Sequence, residues 1–227
     1  MTTAHYRSAA GQIAGGRPRL YVATARYIDR PSKARYIAEK YAAILQGAVL
    51  DVGCDAAPLR SLLAQPDRYV GVDMREDADV SLDLDAQDLP FADRSFDTVV
   101  CTDVLEHLER CHHVFDQLCR TSSRHIIASL PNPARVFLEG VFGGSEGEQK
   151  YYGLPVDPPA DRHRWFFGHE DAVRFFTQRG TRQGVAIEQI DAESEGSLYW
   201  CDGSGRDVLA SPNLRMGTTW CVLVRTD

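Results

Sequence analysis

Hydrophobic and polar positions divide most of the chain into short apolar runs separated by longer amphipathic stretches. The apolar runs have the length of buried strands, and they cover residues 48–52, 69–73, 80–83, 96–101, 124–130, 185–190 and 219–224. The amphipathic stretches predict helices over residues 31–46, 57–65, 102–108, 112–121 and 169–179. Strands that alternate with helices indicate an α/β fold whose mostly parallel sheet has helices on both faces.

Three departures from this alternation shape the predicted organisation. No helix separates the last two strands, so one of them is expected to run antiparallel to its neighbours. Residues 1–30 lack clear periodicity and are interpreted as an N-terminal arm or lid, which leaves residues 31–227 as a single domain. Residues 134–168 are the least regular part, and we interpret them as an insertion on the substrate side, because long loops inside compact domains are usually functional.

Two neighbouring strand ends carry the pattern of a nucleotide site. The first strand runs into Gly53, and the next strand ends on Asp73, about twenty residues later. Glycine lets the backbone approach a ligand closely, and an acid at the next strand end can accept hydrogen bonds from both ribose hydroxyls. A dinucleotide site would need two further glycines, which residues 54–58 do not supply, so the pattern disfavours a pyrophosphate ligand.

Four motifs in register resemble those of class I S-adenosylmethionine-dependent methyltransferases, in particular the type 11 methyltransferases. They lie at residues 49–54, 71–73, 85–97 and 104–108. The resemblance is strongest over residues 48–130 and extends to the order of elements along the chain. It implies a Rossmann-like sheet of seven strands with an antiparallel last strand, and S-adenosyl-L-methionine as the cofactor.

The resemblance also implies roles for residues at the first two strand ends. Asp51 and Gly53, with Cys54 beside them, would shape the pocket for the methionine part of the cofactor. Asp73 would hold the ribose hydroxyls, and Met74 directly after it is counted with the cofactor site.

Further roles fall on later residues of the matched motifs. Asp85 would bond the adenine amino group, with Ala86 beside the ring, and Thr102 and Asp103 would lie near the methionine end and the sulfonium. The chain departs from the family at residues 55–57, where Asp-Ala-Ala stands in place of the usual small glycines. The effect of this departure on cofactor affinity stays open.

His163 and His107 are the candidate catalytic residues. A sulfonium methyl group is already activated, so the protein mainly has to align the reacting atoms, and a histidine can take up the acceptor's proton near neutral pH. His107 follows a predicted strand by one helical turn, and a purely structural role is an equal alternative. His163 lies in a charged and aromatic stretch, preceded by Tyr151 and Tyr152, which could stack on a substrate or simply pack.

Composition limits the choice of partners. A net charge of −7 disfavours broad binding to nucleic acid or to acidic lipid, so we predict a small-molecule substrate, with no nucleic acid and no membrane. The six cysteines contain no C-x-x-C pair, which is typical of reduced thiols in the cytoplasm. His112 and His113 beside Cys111 are adjacent rather than at ligand spacing, so no metal site is predicted. Monomer and homodimer both remain open.

These patterns predict S-adenosylmethionine-dependent methyl transfer to a small-molecule acceptor. The available histidines favour an oxygen acceptor, and a glycan or a secondary metabolite fits that chemistry. Two alternatives of other classes remain open. One is a non-catalytic protein of the same fold that acts through a partner, and the other is an NAD-dependent oxidoreductase.

Overall fold

A single eight-stranded sheet organises the chain in the computed structural model, which describes residues 19–23, 27, 29–142, 151–193, 213 and 216–226. In chain order the strands are β1 (Arg19–Ala23), β2 (Val49–Val52), β3 (Tyr69–Asp73), β4 (Val80–Ser81), β5 (Phe96–Thr102), β6 (Ser122–Pro131), β7 (Val185–Glu193) and β8 (Thr218–Arg225). The α-helices are α1 (Arg30–Lys40), α2 (Cys111–Thr121), α3 (Pro133–Phe142) and α4 (His169–Arg182). Within the described ranges, none of the helices is long and apolar enough to cross a membrane.

The strand order across the sheet is β1-β7-β8-β6-β5-β2-β3-β4. Every neighbouring pair is parallel except those of β8, which runs antiparallel to both β6 and β7. The predicted mostly parallel, Rossmann-like sheet with an antiparallel last strand is therefore confirmed. The chain leaves β2 toward β3 and β4 on one side and returns through β5 and β6 on the other, so the switch point lies between β2 and β5. In open α/β sheets, ligands bind at the carboxyl ends of the strands at such a point.

One strand more is present than the sequence predicted. Residues 19–23 pair in parallel with β7 at the sheet edge, although they fall in the expected arm over residues 1–30. An edge strand forms mainly through backbone hydrogen bonds, so it can form without an alternating side-chain pattern that would predict it from the sequence. Residues 1–18 of that arm lie outside the described residues.

Hydrophobic side chains cover both faces of the sheet, as the strand–helix alternation requires. On one face, Leu50 and Val52 of β2 belong to a core cluster that includes Phe115 of α2 and Phe176 of α4. On the other face, Val49 belongs to a second cluster with residues of α1 and with Trp220 of β8. Adjacent positions of β2 thus face opposite clusters, because side chains alternate along a strand.

Two predicted helices near the sheet's carboxyl edge are much shorter than expected. The helix predicted over 57–65 is replaced by two short 3-10 turns, Arg60–Leu62 and Pro66–Arg68. The helix predicted over 102–108 is reduced to a 3-10 turn, Leu105–His107. Both predicted helices include a residue with a positive φ, Ala57 in the first and Asp103 in the second. A residue with a positive φ cannot continue a right-handed helix.

One further helix, α3, was not predicted, and α4 extends beyond its predicted end. Residues 134–168 contain α3, which begins at Pro133, a residue suited to a first helical turn. Helix α4 passes Gly180 and ends at Arg182, because the glycine with the left-handed φ of 70° is Gly184. Gly180 instead lies against β7 and β8, where a Cβ atom would come 3.1 Å from Val185 and from Leu223.

Helix α1 begins one residue earlier and ends earlier than predicted. Asp29 rather than Ser32 is its N-cap, and the two residues form a reciprocal capping box. The helix ends at Lys40, whereas the sequence predicted that Gly47 ends it. A turn connects Lys40 to Gly47.

Candidate active site

The turn after β2 lies at the centre of the crevice. The Gly53 N–H donates to the Val72 carbonyl of β3 at 2.8 Å, and Gly53 has a φ of 79°. A Cβ atom at this position would come 2.2 Å from Cγ2 of Val104, which follows β5. The turn can therefore pass between the ends of β3 and β5 only because residue 53 is glycine.

The carboxylate of Asp73, at the end of β3, holds this turn in place. Its Oδ2 atom accepts a hydrogen bond from the Asp55 N–H at 2.8 Å, and its Oδ1 atom accepts one from the Arg75 N–H at 3.2 Å. Asp73 is only partly buried, so the carboxylate is open to the crevice as well as bound to the backbone. A carboxylate at this strand end can accept further hydrogen bonds from a ligand, and the ribose contact implied by the resemblance stays a prediction.

Two of the three residues at 55–57 adopt a backbone conformation that glycine adopts more readily than other residues. Asp55 has a φ of 50° and Ala57 a φ of 52°, both in the left-handed region. The side chain of Asp55 lies near two arginines, 3.4 Å from Arg30 and 3.5 Å from Arg75. The departure from the family's glycines therefore keeps the turn shape at the cost of backbone strain.

Asp51 and Cys54 are both buried beside the turn. Asp51 Oδ2 accepts a hydrogen bond from the Tyr69 hydroxyl at 2.7 Å, and burial raises the pKa of Asp51 to about 6. The Cys54 sulfur lies close to Gly71, where a Cβ atom would come within 2.7 Å of it. Met74, by contrast, is 73% exposed. The roles predicted for these residues toward the cofactor stay predictions.

Asp103, directly after β5, is bound by two polar side chains. Lys33 of α1 donates to its Oδ2 atom at 2.5 Å, and Ser129 of β6 donates to its Oδ1 atom at 2.6 Å. Burial acts to raise the pKa of Asp103, but the Lys33 charge and these hydrogen bonds hold it below its ordinary value. Thr102 pairs in register with Ser129 across β5 and β6. Sequence reasoning missed Lys33, because helix spacing alone does not show which residue reaches the sheet edge.

Asp85 is bound to the start of α2. Its carboxylate accepts hydrogen bonds from the N–H groups of Arg110 at 3.0 Å and Glu109 at 3.3 Å. Ala86 follows in the same turn, with its N–H donating to the Asp83 carbonyl at 3.1 Å. Anions suit a helix N-terminus, so this contact alone accounts for an acid at position 85. The adenine contact implied by the resemblance stays a prediction.

The structure brings the two candidate catalytic histidines together. The rings of His107 and His163 lie 4.6 Å apart, centroid to centroid, and are nearly perpendicular. Backbone contacts produce this arrangement, because the Arg164 N–H donates to the Glu106 carbonyl at 2.7 Å. Trp165 Nε1 donates to the Leu108 carbonyl, also at 2.7 Å. The segment after residue 160 is thereby docked on the 3-10 turn that carries His107.

Polar partners orient both imidazole rings. His107 Nδ1 lies 2.6 Å from an Asp161 carboxylate oxygen, and His163 Nδ1 forms a hydrogen bond with the Tyr152 hydroxyl. Tyr151 stacks on His163, with ring centroids 4.1 Å apart and planes within 12° of parallel. The two tyrosines considered as substrate-stacking residues thus hold a histidine in place.

Glu106, next to His107, is the group that sequence reasoning did not single out. Its side chain is 1% exposed, and neither carboxylate oxygen has a hydrogen-bond partner within the described part of the chain. Burial, with the nearby charge of Asp103, raises the pKa of Glu106 well above its usual range. A Glu-His pair directly after a strand end was the available sequence signal.

A cavity of about 150 Å³ adjoins Glu106 on the side of α2 and α4. Its walls are mostly apolar and aromatic, including Leu105, Trp165, Phe167 and Phe175. His112 also contacts the cavity, and its ring packs against Trp165 and Phe175 rather than joining His107. Glu106 lines the cavity and Asp73 does not, which separates the cavity from the predicted ribose position.

Comparisons with known proteins agree with this geometry. Residues 50–125 match the model of a family described as a methyltransferase domain. These residues run from β2 into β6, so they contain the ends of β2, β3 and β5 that form the crevice. The match covers 76 of the 227 residues, about a third of the chain, and shows that this part is similar to a methyltransferase domain.

Solved structures, several of them of methyltransferases, share the fold of the chain. A protein from Pyrococcus horikoshii OT3 is 18% identical, with 86% of this chain and 90% of that chain covered and a TM-score of 0.56. An S-adenosylmethionine-dependent methyltransferase from Archaeoglobus fulgidus is 16% identical, with 86% and 94% covered and a TM-score of 0.54. A magnesium protoporphyrin IX methyltransferase from Synechocystis PCC 6803 with bound SAH is 17% identical, with 86% and 82% covered and a TM-score of 0.51. No curated protein matches the chain significantly.

The chemistry of the residues at the crevice fits S-adenosyl-L-methionine, the cofactor of the methyltransferases that the chain resembles. Asp51, Asp73 and Asp103 place three carboxylates at the ends of three adjacent strands. The cofactor carries an ammonium and a sulfonium, and its ribose presents two hydroxyls, so carboxylates suit both its charge and its hydrogen bonds. The glycine turn at Gly53 completes a site for a ligand without phosphates.

Proposed function

We propose that the protein is an S-adenosylmethionine-dependent methyltransferase that acts on an oxygen of a small-molecule acceptor. The observation that carries the proposal is the His107–His163 pair, which lies past the end of β5 next to Glu106, a residue that lines an apolar cavity. When bound, S-adenosylmethionine supplies a methyl group already activated for displacement. The protein's remaining tasks are to hold the acceptor in line and to deal with the proton of its hydroxyl.

The cofactor side of the proposal rests on the strand ends. Asp73 would accept hydrogen bonds from the ribose hydroxyls, and Asp51 and Gly53 would bound the methionine part. Asp103, beside Thr102, would place its carboxylate near the sulfonium. Lys33 already neutralises part of that charge, at 2.5 Å from Asp103.

The acceptor side rests on the imidazoles and the surfaces around them. Asp161 holds His107, and Tyr152 holds His163, so each ring presents its other nitrogen in a defined direction. Leu154 and Val156, on the segment that carries Tyr152, are almost fully exposed, at 96% and 94%. Apolar surface of this kind favours a hydroxylated acceptor with an apolar body over a glycan.

The first test is calorimetric titration of the protein with S-adenosylmethionine, S-adenosylhomocysteine and NADH. We expect micromolar binding of both sulfur ligands, and at least tenfold weaker binding by Asp73→Ala, because charge-assisted hydrogen bonds to the ribose would be lost. Asp77→Ala is the matched control, since Asp77 lies on the same turn and pairs with Arg75 at the surface. Equal affinity of the Asp73 and Asp77 variants, or preferential binding of NADH, would contradict the proposal.

The acceptor atom needs a separate test. The protein is incubated with S-adenosylmethionine labelled in the methyl group and with panels of hydroxylated and amine acceptors that share apolar ring systems. Transfer to the hydroxylated panel is expected. Transfer restricted to the amine panel would overturn the oxygen acceptor while leaving the cofactor assignment intact.

A further inference from the structure

We propose that Glu106, His107 and His163 bind one divalent transition-metal cation, which holds and activates the acceptor oxygen. Cation binding itself stands on the geometry of these three side chains. Its catalytic role rests on the proposed function, in which the acceptor reacts through oxygen. The sequence predicted no metal site, because the three residues show no ligand spacing along the chain.

The ligand atoms are close enough to share one cation. One atom from each residue, a carboxylate oxygen and two ring nitrogens, lies within 4.8 Å of the others. Zinc binds such atoms at about 2.1 Å, so each atom would have to move inward by about 0.7 Å at most. Small side-chain rotations achieve a shift of this size.

The buried carboxylate supplies an independent reason for a cation. Glu106 is 1% exposed, and both of its oxygens lack a hydrogen-bond partner within the described residues. Burying an unpaired carboxylate is costly, and buried charges in proteins are normally paired or coordinated to metal. The nearest polar atom of the cluster is His107 Nε2, 3.6 Å from Glu106 Oε1, which leaves space for a cation but is too long for a hydrogen bond.

Both histidines have the orientation of metal ligands. Asp161 binds His107 through Nδ1, and the opposite nitrogen, Nε2, faces Glu106. Tyr152 binds His163 through Nδ1, and a ring nitrogen of His163 lies within 4.8 Å of the ligand atoms of Glu106 and His107. A metal-binding histidine usually uses its second nitrogen in this way, and a carboxylate partner there raises the basicity of the ligand atom.

The donor set selects the kind of cation. Two imidazole nitrogens and one carboxylate suit Zn²⁺, Fe²⁺, Co²⁺ or Mn²⁺, whereas Mg²⁺ and Ca²⁺ prefer oxygen ligands. Three protein ligands leave positions for further ligands, and the cavity beside Glu106 offers a route for an acceptor. A hydroxyl bound there would release its proton to solvent more readily. Its oxygen would then bond to the methyl carbon as the carbon–sulfur bond breaks, with the electron pair remaining on sulfur.

Metal titration of the full chain, freed of metal with a chelator, tests the site. Zn²⁺ and Mn²⁺ are titrated by calorimetry, and Co²⁺ by its visible absorption. We expect one equivalent to bind, with at least 100-fold weaker affinity in Glu106→Gln and His163→Gln. Asp161→Asn should weaken binding by about 10–100-fold, because it removes only the partner of a ligand. His113→Gln is the matched control, since His113 pairs with Asp88 outside the cluster.

Titration of each variant with S-adenosylmethionine distinguishes loss of the cation site from loss of folding and from failure of the proposed function. Retained S-adenosylmethionine binding shows that a variant is folded. If Glu106→Gln does not fold, His163→Gln decides whether the cation site exists. His163 lies on a segment with exposed neighbours, so its replacement disturbs the fold less. Absence of stoichiometric binding by the wild type, or equal affinity of His163→Gln and His113→Gln, overturns the site. If metal binds but S-adenosylmethionine does not, the proposed function fails while the cation site stands.

Discussion

At the scale of single residues, the turn after β2 shows how this chain departs from the methyltransferases that it resembles. Asp55 and Ala57 have left-handed φ values of 50° and 52°, where a Cβ atom is unfavourable. Asp tolerates this region better than Ala, since a short polar side chain can hydrogen-bond locally. The strain therefore falls mainly on Ala57, one residue before Pro58.

Replacing Ala57 by glycine should stabilise the protein. Relief of the left-handed strain, about 1–2 kcal/mol, exceeds the extra entropy of an unfolded glycine, about 0.5–1 kcal/mol. Urea unfolding of Ala57→Gly should therefore give a free energy of unfolding about 0.5–1 kcal/mol above that of the wild type. Ala56→Gly is the control, because Ala56 is exposed and outside the left-handed region, and it should lose stability. A loss in both variants would show that Ala57 is not strained.

At the scale of elements, α1 is attached to the sheet edge through one cation. Lys33 contacts Asp103 at 2.5 Å, and its ammonium lies 5.5 Å from the centre of the Trp220 ring. These contacts join α1 to the end of β5 and to β8. The helix thus covers the crevice as well as the hydrophobic face of the sheet.

Removing this cation should weaken the attachment of α1. In Lys33→Met, the carboxylate of Asp103 loses its main counter-charge, and partly buried ion pairs of this kind are costly to break. We expect a loss of about 1–2 kcal/mol in the free energy of unfolding, below the full value for a buried pair because the Asp103 side chain is 33% exposed. Arg35→Met, on the exposed side of α1, should cost less than about 0.5 kcal/mol. Equal losses in the two variants would mean that Lys33 acts only as a surface charge.

At the scale of the whole molecule, pH acts on buried groups with opposite signs. Burial lowers the pKa of His169, at the start of α4, to about 4, and its Nδ1 atom lies 2.7 Å from the Thr219 hydroxyl of β8. The unfolded chain takes up this proton near pH 6.5, before the native state does, so His169 reduces stability as pH falls from about 6.5 to 4. Asp51, whose pKa burial raises to about 6, binds its proton first in the native state and acts in the opposite direction.

A variant at position 169 separates these two effects. His169→Gln cannot titrate, so the advantage of the wild type over the variant should shrink by about 2–3 kcal/mol between pH 7 and pH 4.5. Urea unfolding of both proteins at the two pH values measures this difference, and the contribution of Asp51 cancels in the subtraction. A constant difference across the interval would show that His169 is not held neutral by the fold.

Local pattern was sufficient for much of the fold and for part of the site. Runs of apolar residues predicted β2, β3, β5, β6, β7 and β8, because a buried strand must be apolar on both faces. Gly53 and Asp73 were predicted at adjacent strand ends, because parallel strands place their carboxyl ends at one edge of a sheet. The 3-10 turns after β2 and β5 were predicted as helices, since periodicity does not reveal a left-handed residue within a segment.

The sequence by itself determined the α/β class, the parallel strands and the glycine and acid at the crevice, because each depends on spacing within a few tens of residues. Only the tertiary structure decided which distant side chains meet there. Lys33 and Asp103 are 70 residues apart in sequence, and His107 and Asp161 are 54 apart. Their contacts depend on how α1 and the segment after residue 160 dock on the sheet edge, and no local period encodes that docking. Burial must also be known before Glu106 stands out as a carboxylate with no hydrogen-bond partner among the residues that the structure describes.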